Sequence, residues 1–187
     1  MNVVIFGPPG AGKGTQAQNI VKKFNLHQVS TGDLLRNEIK NKSGIGKEIE
    51  EIISKGDFAT DDIVNKLIKN IIFDPQKKNK LIFDGYPRSL SQAKNLDLLL
   101  GSSKQKIDFI FFLNVKKDTI IKRIEKRKIL EKRSDDDLNT ILKRYDTYME
   151  TTRPVLDFYS LNPNFYEIDG GEKIEVISSK IEQIIRV

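Results

Sequence analysis

Gly7-Pro8-Pro9-Gly10-Ala11-Gly12-Lys13-Gly14-Thr15 follows the apolar run Val3-Val4-Ile5-Phe6 and leads into a helical segment, Gln16 to Phe24. A buried strand, a glycine turn and a helix start together make a concave nest of backbone N–H groups, to which the helix N-terminus adds positive potential. Glycines suit it because a Cβ would keep the backbone from wrapping a phosphate chain. Lys13 supplies a point charge for the outer phosphates, and Gly10, Ala11, Gly12 and Gly14 supply the wall. A hydroxyl in such loops usually follows the lysine directly and reaches a metal. Here Gly14 intervenes, so Thr15 stands one residue beyond that place.

Working outward, the 187 residues suit one domain with a real core. The chain is 38% hydrophobic and 31% charged, which is the balance of a globular protein and not of a disordered one. No apolar stretch approaches the ~20 residues of a membrane-spanning helix, and no leader peptide is evident at the start. There are no cysteines, which excludes disulfides, thiolate zinc sites and thiol nucleophiles. The net charge of +6 raises nucleic-acid binding as an option. A lysine-rich surface on a protein that handles small anions accounts for it better.

Four further apolar β runs alternate with helical patterns: 26–29, Leu81-Ile82-Phe83, Phe109 to Leu113, and Phe165 to Asp169. That alternation is the signature of a doubly wound α/β sheet. After the second run, Ser30 and Asp33 have the spacing of a capping box. Residues 30–59 read as a small helical excursion that buries little, with a break at 41–46 and a helix over 47–55. Thr60 is the expected N-cap of a helix from Asp61 to about Ile72. His27, the sole histidine, has no evident partner and reads as structural.

Asp84-Gly85-Tyr86-Pro87-Arg88 closes the third strand at its carboxyl end, where open α/β sheets bind ligands. Asp84 is positioned to orient Mg²⁺ through water. Pro87 aims Arg88 inward, and Gln92 follows one helical turn later; alone, Gln92 would read as a solvated helix residue. Arg123 and Arg127 form a like-charge pair at i and i+4, unfavourable unless an anion lies between them. Lys128 to Arg133 reads as a short charged loop. From Ser134, a long helix extends to about Tyr159, and the run Asp135-Asp136-Asp137 serves there as capping.

Together, Gly7–Thr15, Ser30–Arg36 and Asp84–Gln92 resemble the nucleoside monophosphate kinases, and among them the adenylate kinase family, over essentially the whole chain. The resemblance implies a P-loop α/β fold with a five-stranded parallel sheet in the order 2-3-1-4-5. It divides the chain into a core (1–29, 60–126 and 138–187), a nucleoside monophosphate-binding segment (30–59) and a short lid (127–137). It also implies reversible transfer of the γ-phosphoryl group of Mg·ATP to AMP, giving two ADP. The ATP side would comprise Gly10, Ala11, Gly12, Lys13, Gly14, Thr15, Arg123, Arg127 and Glu172, the last through its backbone. The AMP side would comprise Thr31, Arg36, Asp57, Phe58, Ala59, Gly85, Tyr86, Pro87, Arg88, Gln92, Arg133 and Arg144. Lys13, Arg88, Arg123, Arg133, Arg144 and Asp84 would carry the chemistry.

Mg²⁺ is the implied cofactor, with no zinc, and Asp84 and Thr15 are its candidate neighbours. The expected partners are ATP, AMP and ADP, with neither nucleic acid nor membrane, in a cytoplasmic monomer. Short lids of this family carry glycines between the arginines, whereas Lys128-Ile129-Leu130-Glu131-Lys132 has none. A UMP/CMP kinase and, from another class, a P-loop ATPase acting on a protein or nucleic acid remain open alternatives at this point.

Overall fold

The computed structural model describes residues 1–54, 59–131 and 138–186. Its centre is a parallel sheet of β1 (Val3–Phe6), β2 (His27–Ser30), β3 (Leu81–Asp84), β4 (Phe109–Asn114) and β5 (Phe165–Asp169), in the order β2-β3-β1-β4-β5. Every pairing is parallel, as the resemblance implied. All four residues of β1 are buried, because both faces of a parallel sheet are covered.

Alternation divides the core cleanly. Val4, Phe6, Leu81, Phe83 and Ile110 point to one face, where they join Val64, Ile68, Leu96, Leu100, Val155 and Tyr159. Val3, Ile5, Ile82, Phe111 and Leu113 point to the other, beneath Ala17, Ile20, Ile120, Ile124, Ile177 and Ile181. The helices supplying the first face are α4 (Asp61–Ile72), α5 (Leu90–Ser102) and α8 (Arg153–Ser160); the second is covered by α1 (Lys13–Phe24), α6 (Lys117–Glu131) and α9 (Ile174–Ile185). The excursion holds α2 (Thr31–Lys40) and α3 (Gly44–Ser54), whose Leu35 and Ile49 join the first cluster. Between α6 and α8 lies α7 (Leu138–Thr147).

The amino ends of the strands are locked by polar groups. Buried Asn2 donates to Gln105 Oε1 at 3.3 Å and to the Lys106 carbonyl at 3.0 Å, and accepts from the Leu81 N–H. Gln105 in turn accepts from the Asn79 N–H and donates to the Ile72 carbonyl. The carboxyl ends are therefore the ends left to bind.

Several expectations are corrected. The first helix begins at Lys13, not Gln16, so Lys13, Gly14 and Thr15 form its opening turn. α3 begins at Gly44, inside the stretch read as a break. Thr60 stands at the N-cap of α4, but its side chain makes no capping bond; its carbonyl accepts from the Val64 N–H. Residues 128–131 are not a loop, because α6 runs on to Glu131. Lysine, leucine and glutamate are good helix formers and no glycine interrupts them, so their charge is no stop signal.

The long helix expected up to Tyr159 is also interrupted. Tyr148–Thr152 is a π-helical turn between α7 and α8, with the Arg153 N–H bonded to the Tyr148 carbonyl. Pro154 accounts for the break: it lacks an N–H, and its ring would clash with the Glu150 carbonyl in a regular α-helix. The start of that helix, Ser134 to Asp137, lies outside the described residues.

Candidate active site

A cleft of about 580 Å³ opens at the carboxyl ends of β1 and β3. Its floor is the loop from Gly7 to Gly12 and the first turn of α1. Gly10 has φ +80°, and a Cβ there would lie 2.7 Å from Ile124 Cγ1, so only glycine lets the loop seat against α6. Lys13 Nζ arches back over the loop, donating to the carbonyls of Gly7 (2.8 Å) and Pro8 (3.1 Å). Ala11, Gly12, Gly14 and Thr15 also line the cleft, with Thr15 exposed on the opening turn.

Arg123 reaches the same floor from α6. It donates to the Ala11 carbonyl at 3.2 Å and to the Glu172 carbonyl at 3.5 Å. The Glu172 side chain turns away to Lys180, 2.6 Å from its Nζ, so only its backbone faces the site.

Across the cleft stands the 84–88 turn. The Asp84 carboxylate lies beside the start of α1, 3.5 Å from where a Cβ on Gly14 would sit. Gln28 Nε2 donates to its Oδ2 at 3.1 Å. Gly85 has φ +78°, and its carbonyl accepts both Arg88 Nε (2.7 Å) and Thr31 Oγ1 (2.8 Å). Thr152 Oγ1 donates to the Arg88 carbonyl at 3.0 Å. Arg88 is thus held at its backbone and at Nε, with Arg144 and Arg36 also on the cleft wall. Burial, first, and then the charges of Arg144 and Arg36 pull the Arg88 pKa down to about 10; Asp84 offsets part of this. Three guanidinium groups therefore converge, and the crowding is of the kind an anion relieves.

A family model for adenylate kinase matches residues 5–163. The chain belongs to the adenylate kinase family. An adenylate kinase of Pelagibacter ubique (strain HTCC1062) is 47% identical over 213 residues, covering 100% of both chains. That of Thermosipho africanus (strain TCF52B) is 33% identical over 213 residues, again covering 100% of both. That of Caulobacter sp. (strain K31) is 36% identical over 187 residues, covering 100% of this chain and 99% of its own. The first two alignments are longer than this 187-residue chain, so those relatives carry residues with no counterpart here. Membership makes the chain a phosphotransferase, a nucleoside monophosphate kinase.

Not every residue attributed to the adenylate kinase site lines the cleft. Gly85, Pro87, Arg88, Arg36 and Arg144 do. Thr31 is buried just behind, bonded to Gly85. Ala59 packs in the core, and so does Tyr86, whose hydroxyl donates to Asn65 Oδ1 at 2.8 Å. Burial pushes the Tyr86 pKa up to about 12, which keeps it a donor.

Gln92 is buried, not solvated: its Nε2 donates to Asp61 Oδ1 at 2.7 Å, and its Oε1 accepts the Arg88 N–H at 2.7 Å. In this arrangement its amide fixes the 84–88 turn. Asp57, Phe58 and Arg133 lie outside the described residues, as does the side chain of Arg127. Gln28, Tyr148 and Thr152 are cleft residues that the sequence alone does not reveal. Gln28 becomes visible only once Ser30 is known to pair with Asp84 in the sheet, which sets Gln28 two residues back on the same face.

Among the described residues no helix is long and apolar enough to cross a membrane. Nor do these residues hold a group of three or more His, Cys, Asp or Glu side chains placed to bind a metal ion. A lone carboxylate next to a phosphate-binding loop fits a hard divalent ion that is held largely by substrate phosphates and water.

Proposed function

We propose that this chain catalyses Mg·ATP + AMP ⇌ 2 ADP, a reaction that balances the adenine nucleotide pools, and that it works as a cytoplasmic monomer. The observation that carries the reading is one cleft with cationic groups on two opposing walls. Lys13 and Arg123 flank the glycine loop, and Arg36, Arg88 and Arg144 stand opposite. Two polyphosphate tails meeting end to end would be surrounded by positive charge.

The chain's own residues then divide the work. The loop N–H groups, Lys13 and Arg123 bind the donor's phosphates, and Arg36, Arg88 and Arg144 bind and orient the acceptor's phosphate. In-line attack by an acceptor oxygen on the γ-phosphorus needs no covalent nucleophile, only alignment and charge stabilisation. Bound Mg²⁺ would neutralise charge on the donor phosphates; Asp84, braced by Gln28, and the nearby Thr15 are the residues suited to hold its water shell. Asp57, Phe58, Arg127 and Arg133 complete the site in this reading. Residues 30–59 act as the acceptor segment, 127–137 as a short lid, and the remainder as the core; closure of the two segments excludes water and suppresses hydrolysis.

A coupled assay with AMP, CMP, UMP or no acceptor tests the proposal. ADP formation that needs AMP supports it. Preference for UMP or CMP moves the acceptor assignment to pyrimidines, and hydrolysis without acceptor replaces it with an ATPase.

A further inference from the structure

One polar atom on the cleft wall is left over by the assignments above. Tyr148 is only 6% exposed, and its hydroxyl has no hydrogen-bond partner among the described residues. Buried donors are seldom left unpaired without a reason, since desolvation is then uncompensated. The side chain belongs to neither of the two core clusters; it lines the cleft, as do Arg144 and Arg88.

The backbone explains how it comes to be there. Arg144, Tyr148 and Thr152 succeed one another at steps of four residues. In a continuous α-helix each such step rotates by about 40°, which would carry the third residue off the face. The π turn at Tyr148–Thr152 rotates less per residue and brings Thr152 back into line, where it donates to the Arg88 carbonyl at 3.0 Å. Arg144, Tyr148 and Thr152 thereby all line the cleft, as does Arg88. Burial raises the Tyr148 pKa above the ordinary phenol value, so it stays a neutral O–H donor. A neutral donor adds an interaction for an anionic oxygen without adding to the repulsion among the guanidinium groups.

We propose that Tyr148 is a substrate-binding residue whose hydroxyl donates a hydrogen bond to a non-bridging phosphate oxygen held by Arg88 and Arg144. The inference rests on the phosphoryl-transfer reading. Its distinguishing consequence is that stability and affinity move in opposite directions when the hydroxyl is removed.

The test is Tyr148→Phe, which keeps the ring. The thermal melt without ligand and the calorimetric affinity for di(adenosine-5′) pentaphosphate with Mg²⁺ are compared with wild type. The expected result is a melting temperature raised by roughly 2–4 °C and affinity weakened about tenfold, the scale of one bond to a charged group. Unchanged affinity overturns the assignment whatever the melt does. Weaker affinity with a lowered melting temperature also overturns it, because Tyr148 would then be a packing residue. A wild-type protein that ignores the dinucleotide removes the phosphoryl-transfer reading and this inference together; tight wild-type binding matched by the variant removes this inference alone.

Discussion

Replacing Arg88 with methionine keeps most of the side-chain stem and deletes the charge. Its pKa is drawn below the ordinary guanidinium value to about 10, mainly by burial and then by Arg144 and Arg36. A depressed pKa in a base means that the fold disfavours the charged form. At pH 7 both folded and unfolded chains carry the proton, and the folded state bears a penalty of roughly 3 kcal/mol. That penalty disappears as pH rises past about 10 toward the ordinary guanidinium value.

Methionine removes the penalty but also the Nε bond to the Gly85 carbonyl, worth about 1 kcal/mol or a little more. The contact from Nη2 to Thr31 at 3.5 Å adds little. Arg88 also takes part in further interactions that methionine loses, so the variant is expected to gain at most roughly 1–2 kcal/mol in stability, seen as a rise of up to about 8 °C in a thermal melt. Its turnover in the coupled AMP assay should fall at least ~100-fold, the scale of losing one electrostatic contact to transition-state charge. Turnover within fivefold of wild type would refute the role given to Arg88. A melting temperature lowered by several degrees would refute the claim that its charge is held against the preference of the fold.

Lys13→Met removes the cation over the glycine loop, and turnover should again fall at least ~100-fold, measured in the same assay. Gly85→Ala places a Cβ 2.9 Å from Arg88 Nη2 at φ +78°. It should cost about 1–2 kcal/mol in chemical denaturation and shift Arg88 enough to raise the KM for AMP. Gln28→Leu frees the Asp84 carboxylate from its 3.1 Å bond; the Mg²⁺ concentration giving half-maximal rate should rise roughly tenfold, with the melting temperature changed little. Affinity for ATP plus AMP should drop as pH rises through about 10, where Arg88 loses its proton, and the part of that drop due to Arg88 should vanish in Arg88→Met.

The framework was legible where periodicity is strong. α4 carries Val64, Ile68 and Ile72 at steps of four and runs over Asp61–Ile72 as expected. The glycine loop and the Asp84–Arg88 turn identify themselves because few other uses call for such residues at such spacing. Sheet order is different in kind: periodicity says that a strand is buried on both sides, not which neighbour lies there, so the order rested on resemblance. Residues 128–131 misled because charge signals solvent and says nothing about whether the backbone is helical. Gln92 misled for the converse reason: taken alone it looks like a solvated helix glutamine, while its burial and its engagement by Asp61 depend on a residue 31 positions away.

The distribution of unfavourable terms itself argues for the site. At the amino ends of the strands, Asn2 and Gln105 are buried and their amides bonded on both sides, so burial there is compensated. At the carboxyl ends the balance reverses. A guanidinium is held below its ordinary pKa by burial and then by two others, and a phenol is buried with no partner among the described residues. Both belong to elements fixed by extensive packing elsewhere: Arg88 through Gln92 and Thr152, and Tyr148 through the helix ahead of Pro154. The fold can hold groups in positions they would not choose because the surrounding core outweighs them. Since an anion relieves both terms at once, part of its binding free energy comes from cancelling them. Stability gained by removing either group should therefore be accompanied by lost affinity.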